Sequence, residues 1–320
     1  MTRDRLVRLG IAVSRLAPVT ARKIRDHYGG WVAAVEAADR DRHFPESWRE
    51  TFRAAERAGQ GATERAGAAR ATVLWRGDPE WPEGLAGLTD PPEVLFVRGD
   101  PRLLREPSVA IVGTRECTPE GADLARRLGA RLAEAGRCVV SGLARGIDTA
   151  AHVGALEGDG DTIAVLGAGV DVPTPPRNAA LHEEIANRGA LVSEFAPGTE
   201  PRPRHFPRRN RILAALAQAI VVIEARHRSG ALVTARHGLD QGKEIFVVPG
   251  WPGSPLAAGP LALLRDGARP IRGADDLLED LRGLGASPAF GIVAEGEDPP
   301  ADSAEQRALR ELLGPGARLE

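Results

Sequence analysis

Between Ser108 and Val248 the chain repeats one pattern: a short apolar, β-favouring run, then a longer stretch with apolar residues at helical spacing. The runs are SVAIV (108–112), CVVS (138–141), TIAVL (162–166), ALVSE (190–194), AIVVI (219–223) and EIFVV (244–248). Such continuous hydrophobicity suits strands buried on both faces, and each interval has room for one crossover helix. Right-handed crossovers then predict an α/β fold with a doubly wound, mostly parallel sheet. The preceding segment, Thr72–Asp100, has strand candidates of its own and is assigned to the same domain, bounded at 71–282.

The flanks read differently. Residues 1–70 predict a small all-α domain, with a helix over Leu6–Leu16. LAPVTARKIRDHYGG (16–30) then reads as a loop, an N-cap at Thr20, a short helix and a Gly-Gly stop. This is similar to a helix-hairpin-helix or SAM-like unit. Its loop lacks the glycines that let such hairpins approach phosphate, so a structural or protein-interaction role is expected over DNA contact. Gly59–Arg70 reads as a linker or weak helix. Gly283–Asp302, rich in Gly, Pro and acids, reads as a second linker. Ser303–Gly314 opens with a capping box, Ser303 and Gln306, and 303–320 is read as the remnant or start of a further small domain.

Composition narrows the class. Hydrophobic residues make up 42% of 320 and charged residues 27%, as in ordinary globular chains, which excludes wholesale disorder. The longest nearly apolar run, Ile212–Ile223, is too short for a membrane span. The N-terminus MTRDRLVRLG is charged from its third residue, so no export signal is expected. Cys117 and Cys138 make neither a disulfide framework nor a metal-ligand set. The cytoplasm is the expected compartment, with no metal and no cofactor. Net charge is only −2, but Pro201–Arg236 carries eight Arg against one acid, Glu224. A local +7 on an otherwise acidic chain points to an anionic partner.

Open parallel sheets bind ligands outside the C-terminal ends of their strands, so the chemistry is sought there. After the first run, Gly113 allows close backbone approach, Thr114 supplies a hydroxyl and Arg115 offers a guanidinium over a site facing helix-start amides. The segment is neither GxGxxG nor a P-loop. After the second run, SGLARGIDTAAH (141–152) places Asp148 and His152 at i, i+4, read as a helix-start carboxylate and a packed histidine rather than a catalytic pair. After the fourth, EFAPGTEPRPRHFPRRNR (194–211) has four prolines that predict an extended loop lifting Arg202, Arg204 and Phe206 clear of the sheet. Arg208, Arg209, Asn210 and Arg211 complete that run. Basic residues around an aromatic suit a single strand: charge for phosphate, a π face for an unstacked base. After the fifth, Ser229 and Gly230 open a helix whose free amides favour an anion. These loops carry phosphate grips and no evident catalyst.

AIVGTR (110–115), SGLARGID (141–148), LGAGVD (166–171), SEFAPGTEPRPRHFPRRNRILAAL (193–216), EARHRSGALVTAR (224–236) and VVPG (247–250) resemble the DNA-processing protein A family, DprA/Smf. The likeness runs in order from about Asp78 to Leu281. It implies a Rossmann-like domain that binds single-stranded DNA, dimerises, and loads the RecA recombinase during natural transformation. It also implies a small helical N-terminal domain and, in many members, a C-terminal winged helix. Carried over by position, the DNA pocket's arginine is Arg115, beside Gly113 and Thr114, and its stacking aromatic is Phe206. Pro203 stands where the family often has a basic residue, leaving that contact to Arg202 or Arg204. The family's dimer surface maps onto Leu261–Ile271, with Leu261, Leu264, Arg265, Pro270 and Ile271 as interface candidates; Pro270 replaces a usual apolar residue.

The leading function is therefore a non-enzymatic single-strand-binding mediator. The alternative is a nucleoside-monophosphate phosphoribohydrolase of the lysine-decarboxylase-like fold. Such enzymes carry a PGGxGTxxE-type motif, and RSGALVTAR (228–236) has no Glu at that spacing.

Overall fold

The computed structural model describes residues 1–14 and 16–284. The expected linker beyond 284 and the expected terminal helix in 303–320 lie outside the described residues. Four helices come first: α1 (Arg3–Ala12), α2 (Pro18–Tyr28), α3 (Trp31–Arg40) and α4 (Glu46–Ala68). α2 starts earlier than expected, because Pro18 takes a first-turn position where its missing N–H costs nothing, and Thr20 sits inside the helix. Gly29 ends it in the left-handed region (φ 78°), as the Gly-Gly stop predicts. The supposed linker Gly59–Arg70 is instead mostly the second half of α4. Its glycines lower helix propensity, but a Cβ on Gly59 would lie 1.9 Å from the Leu6 carbonyl oxygen, and one on Gly10 1.7 Å from that of Ala55. Close backbone approach of α1 and α4 requires both glycines.

All six apolar runs form strands. With an antiparallel pair from Thr72–Asp100, they build a nine-stranded sheet: β1 (Thr72–Trp75), β2 (Val94–Gly99), β3 (Ser108–Gly113), β4 (Cys138–Ser141), β5 (Thr162–Val165), β6 (Ala190–Ser193), β7 (Ala219–Ile223), β8 (Glu244–Val247) and β9 (Arg269–Pro270). The order is β1-β2-β6-β5-β4-β3-β7-β8-β9, parallel from β6 to β9 and antiparallel at β1 and β2. The fold is α/β and Rossmann-like. Crossovers α5 (Pro119–Glu134), α6 (Ile147–Glu157) and α7 (Ala179–Arg188) carry the chain outward from β3 to β6. Helix α8 (His205–Leu216) then returns it to β7 on the other side of β3, and α9 (Gly230–Asp240) and α10 (Ala258–Arg265) follow. The strand order reverses at β3, where a doubly wound sheet opens its ligand crevice.

Side-chain alternation along the strands feeds two cores. Leu95, Val97, Ala110, Val112, Ile163 and Val165 pack with α8 and α9. Val94, Phe96, Ala164 and Leu191 pack with α7 and with Leu9, Ala62 and Ala66 of the helical segment. That segment is also pinned by a buried charge. Glu93, 3% exposed, accepts hydrogen bonds from Arg8 (3.0 Å), Arg22 (3.0 Å) and Arg76 (3.4 Å).

The chain continues past α10 through β9 into α11 (Ala274–Leu284), so a further helix follows the segment onto which the dimer surface maps. Among the interface candidates, Arg265 and Pro270 are exposed and Leu261 is half-buried. Ile271 must be corrected: it is 1% exposed, its N–H bonds the Val247 carbonyl at 2.9 Å, and it belongs to the core of its own chain. Leu264 is partly committed in the same way, packing against the sheet's core. Among the described residues no helix is long and apolar enough to cross a membrane.

Candidate nucleic-acid interface

At the reversal point the loops after β3, β4 and β7 and the start of α8 enclose an open cavity of about 640 Å³. Its walls include Gly113, Thr114, Arg115, Phe206, Arg209, Asn210, Ser229 and Gly230, eight of the twelve residues expected from the sequence. Gly113 is needed because a Cβ there would lie 2.0 Å from the Ile223 carbonyl oxygen on the neighbouring strand. Two non-glycine residues hold left-handed backbone beside β3: Leu143 (φ 54°) after β4 and Glu224 (φ 48°) after β7. Sparsely populated conformations of this kind collect at functional sites. The Asn178 amide donates to the Leu143 carbonyl at 3.1 Å and helps fix the first of them.

Phe206 is not lifted clear of the sheet. The predicted extended loop gives way at His205 to α8, whose first turn accommodates Pro207. His205 stacks on Phe195 with centroids 4.1 Å apart and hydrogen-bonds the Gly167 carbonyl oxygen (3.1 Å). The half-buried Phe206 ring then lies over Gly167, where a Cβ would meet it at 3.0 Å. The exposed Arg115 guanidinium sits 5.4 Å from the centre of that ring. The two residues thus form one composite platform, a cation over a π face, rather than two independent loop features.

Helix α8 also redirects the arginine cluster. Arg208 and Arg211 pair with the 2%-exposed side chain of Glu194 at 2.8 and 2.7 Å, so their charges are spent inside the protein. Arg211 is buried, which removes it from the expected contact set, and the half-buried Arg208 lies off the cavity wall. Arg202 and Arg204 are exposed, but they too lie outside the cavity. Arg209 lines the cavity from a buried position. Burial lowers its guanidinium pKa to about 10 against the opposing pull of Asp148, and it donates to the Gly142 carbonyl at 3.0 Å. Burial likewise raises the Asp148 carboxyl, which Arg209 partly offsets. His152 is fully buried against Thr162 (2.7 Å), the packed histidine expected.

Three arginines of the cavity were not among the site residues picked from sequence: Arg145, Arg226 and Arg228. Arg145 lies in the turn after β4, and the rule that found Arg115 (an arginine just past a parallel strand's end) would have found it. Arg226 and Arg228 belong to the basic stretch Pro201–Arg236 and precede the helix start at Ser229. Arg226 approaches Glu116 at 3.7 Å; among the described residues Arg115, Arg145 and Arg228 make no ion pair.

The helix starts differ. Glu224 reaches across to α5, accepting from the Thr118 N–H (2.8 Å) and hydroxyl, while the Thr118 hydroxyl accepts from the Gly121 N–H (3.0 Å). Two of the amides at that helix start, those of Thr118 and Gly121, are therefore already occupied. Helix α9 opens onto the cavity with no acid in its first turn, and the Ser229 side chain makes no capping bond. Among the described residues no group of three His, Cys, Asp or Glu could hold a metal ion.

Residues 72–282 match the family model described as DNA recombination-mediator protein A. DNA processing protein DprA of Streptococcus pneumoniae is 40% identical over 203 residues, 63% of this chain and 72% of that protein. Protein Smf of Escherichia coli is 42% identical over 203 residues; the match spans 63% of this chain and 54% of that protein. Among solved structures, DNA processing protein A of S. pneumoniae superposes with a TM-score of 0.72 at 32% identity, covering 88% of this chain and 98% of that one. DNA processing protein A of Helicobacter pylori, a protein with a single-stranded DNA binding mode, gives 0.62 at 31%, covering 67% and 97%.

Proposed function

Since the chain belongs to the DNA recombination-mediator protein A family, we propose that it binds single-stranded DNA in the cavity at the β3 end. On this reading it is a non-enzymatic cytoplasmic mediator that, as a homodimer, loads a RecA recombinase onto strands during transformation and recombination. The observation that carries the strand-binding step is the Arg115–Phe206 platform. A base stacks on the ring, and phosphates meet Arg115, Arg145, Arg228 and the open start of α9. The distribution of charge supports a strand over a compact anion, because the unpaired guanidinium groups stand on three separate loops.

Such a grip prefers single strands to duplex and weakens with salt, with a log–log slope of roughly −0.7 per phosphate contacted. Fluorescence anisotropy with matched single-stranded and duplex oligonucleotides across a salt series tests it; equal affinity for both at moderate salt overturns it. The phosphoribohydrolase alternative would have to draw on Asp148, engaged by the Ala144 N–H at 3.3 Å, or on the exposed Glu116, the two acidic residues of the cavity wall. Release of free base from nucleoside monophosphates would favour that enzyme instead.

A further inference from the structure

One large side chain stands almost wholly in solvent. Trp251 is 80% exposed, far more than the other exposed large hydrophobics among the described residues: Met1, Val19, Val233 and Leu239. It begins the turn Trp251–Pro252–Gly253–Ser254, closed by the Ser254 N–H on the Trp251 carbonyl at 2.8 Å. Pro and Gly at the two central positions are the signature of a tight, pre-set turn. The indole is thus presented by a stiff support, and little backbone order remains to be lost on binding.

The turn's position gives the indole a use. It lies in the loop that leaves the C-terminal end of β8, on the same sheet edge as the cavity. That loop is tied to the one after β7 by the Ala225 N–H on the Leu256 carbonyl (2.7 Å) and the Gly259 N–H on the Ala225 carbonyl (2.8 Å). The next residue, Arg226, is part of the cavity wall. Strands β3, β7 and β8 are consecutive neighbours, so their ends follow one another at steps of about 4.8 Å. From Pro249 to Leu264 the chain has no charged residue, so no carboxylate in this loop repels a phosphate. Pro252 and Gly253 beside the indole are exposed, and no other large exposed hydrophobic occurs in the loop. A protein-binding hot spot would sit in an apolar, water-excluding surround. A lone indole on the loop next to those that line an arginine-rich cavity has the make-up of a base-stacking platform.

We propose that Trp251 is a second stacking platform for the same single strand, taking an unpaired base a few nucleotides along from the one on Phe206. This rests on the strand-binding reading of the cavity. The strand would run from the Arg115–Phe206 platform past Arg228 and Arg226 to the β8 loop.

The test uses the full chain and labelled oligothymidylates of increasing length. Trp251→Ala should weaken binding about five- to tenfold on oligonucleotides long enough to span both platforms, with an unchanged salt slope. It should have no effect on those too short to reach it. Trp251→Phe should recover most of the loss, and the quenching of indole fluorescence by a long oligonucleotide should shrink in Trp251→Ala. Wild-type protein that binds strands, loses them in Phe206→Ala and keeps them at every length in Trp251→Ala overturns this proposal alone. Wild-type protein that binds no strand overturns the cavity reading and this one with it. Loss of self-association in Trp251→Ala with unchanged DNA affinity would assign the indole to a contact between chains, and also overturns it.

Discussion

Replacing Arg115 and Phe206 singly and together puts the platform to its most direct trial. Phe206→Ala removes a stacking face worth about 1–3 kcal/mol per base, a loss of roughly ten- to a hundredfold in affinity, and should leave the salt slope alone. Arg115→Ala removes one cationic contact and should flatten the slope by about 0.7. Read as loop residues, the two would act separately. The guanidinium 5.4 Å above the ring couples them. A solvent-exposed cation–π contact is worth about 0.5–1 kcal/mol, so the double variant should lose two- to fivefold less than the product of the single losses. Arg115→Lys should recover only part, since an ammonium keeps the charge without the planar face. Anisotropy titrations of the wild type and the four variants at several salt concentrations, with circular dichroism to verify folding, give every term. Independent losses would refute the composite platform, and a folded double variant that binds like wild type would refute the site.

Two further outcomes concern the scaffold. Glu93→Ala leaves Arg8, Arg22 and Arg76 facing one another without their shared carboxylate. The arginines retain some solvent contact, so the loss should sit near the low end of the range for broken buried pairs, about 3 kcal/mol, and show as a lower denaturant midpoint; an unchanged midpoint would refute the clamp. Burial also holds His152 neutral down to about 3, against an ordinary value of 6.5. The unfolded chain therefore binds the extra proton first, and stability should fall as pH drops from about 6.5 to about 3, by up to roughly 5 kcal/mol. Asp148, shifted upward by burial, works in the opposite direction: its contribution is present below its unfolded value and is lost as pH rises through the folded one. His152→Leu should flatten the acid limb in urea denaturation series, and an unaltered limb would refute the assignment.

The sheet was legible because strands buried on both faces write themselves as uninterrupted apolar runs, and all six were found where they stand. The helical second half of α4 was hidden by Gly59 and its neighbours, whose low propensity is outweighed by packing that no local pattern records. The four prolines before Arg208 read as a loop, but a proline in a helix's first turn breaks nothing, and α8 begins two residues before Pro207. That shift turned Arg208 and Arg211 inward to Glu194, a pairing across the fold that sequence spacing does not encode. Arg115 and Phe206, 91 positions apart in sequence, were each singled out; that one lies over the other depends on α8 returning across the sheet.

The carboxylate of Glu224 decides what kind of anion this molecule can select. By bonding Thr118 at the α5 start it puts a carboxylate in the place where a dinucleotide-binding sheet seats a diphosphate. The donors left over, Arg115, Arg145, Arg228 and the start of α9, stand on three separate loops around one cavity instead of in a single helix-start cradle. Favourable free energy then accumulates with the length of chain laid down. On the strand-binding reading, a free nucleotide reaches fewer of these donors at once than a polymer does and should compete weakly.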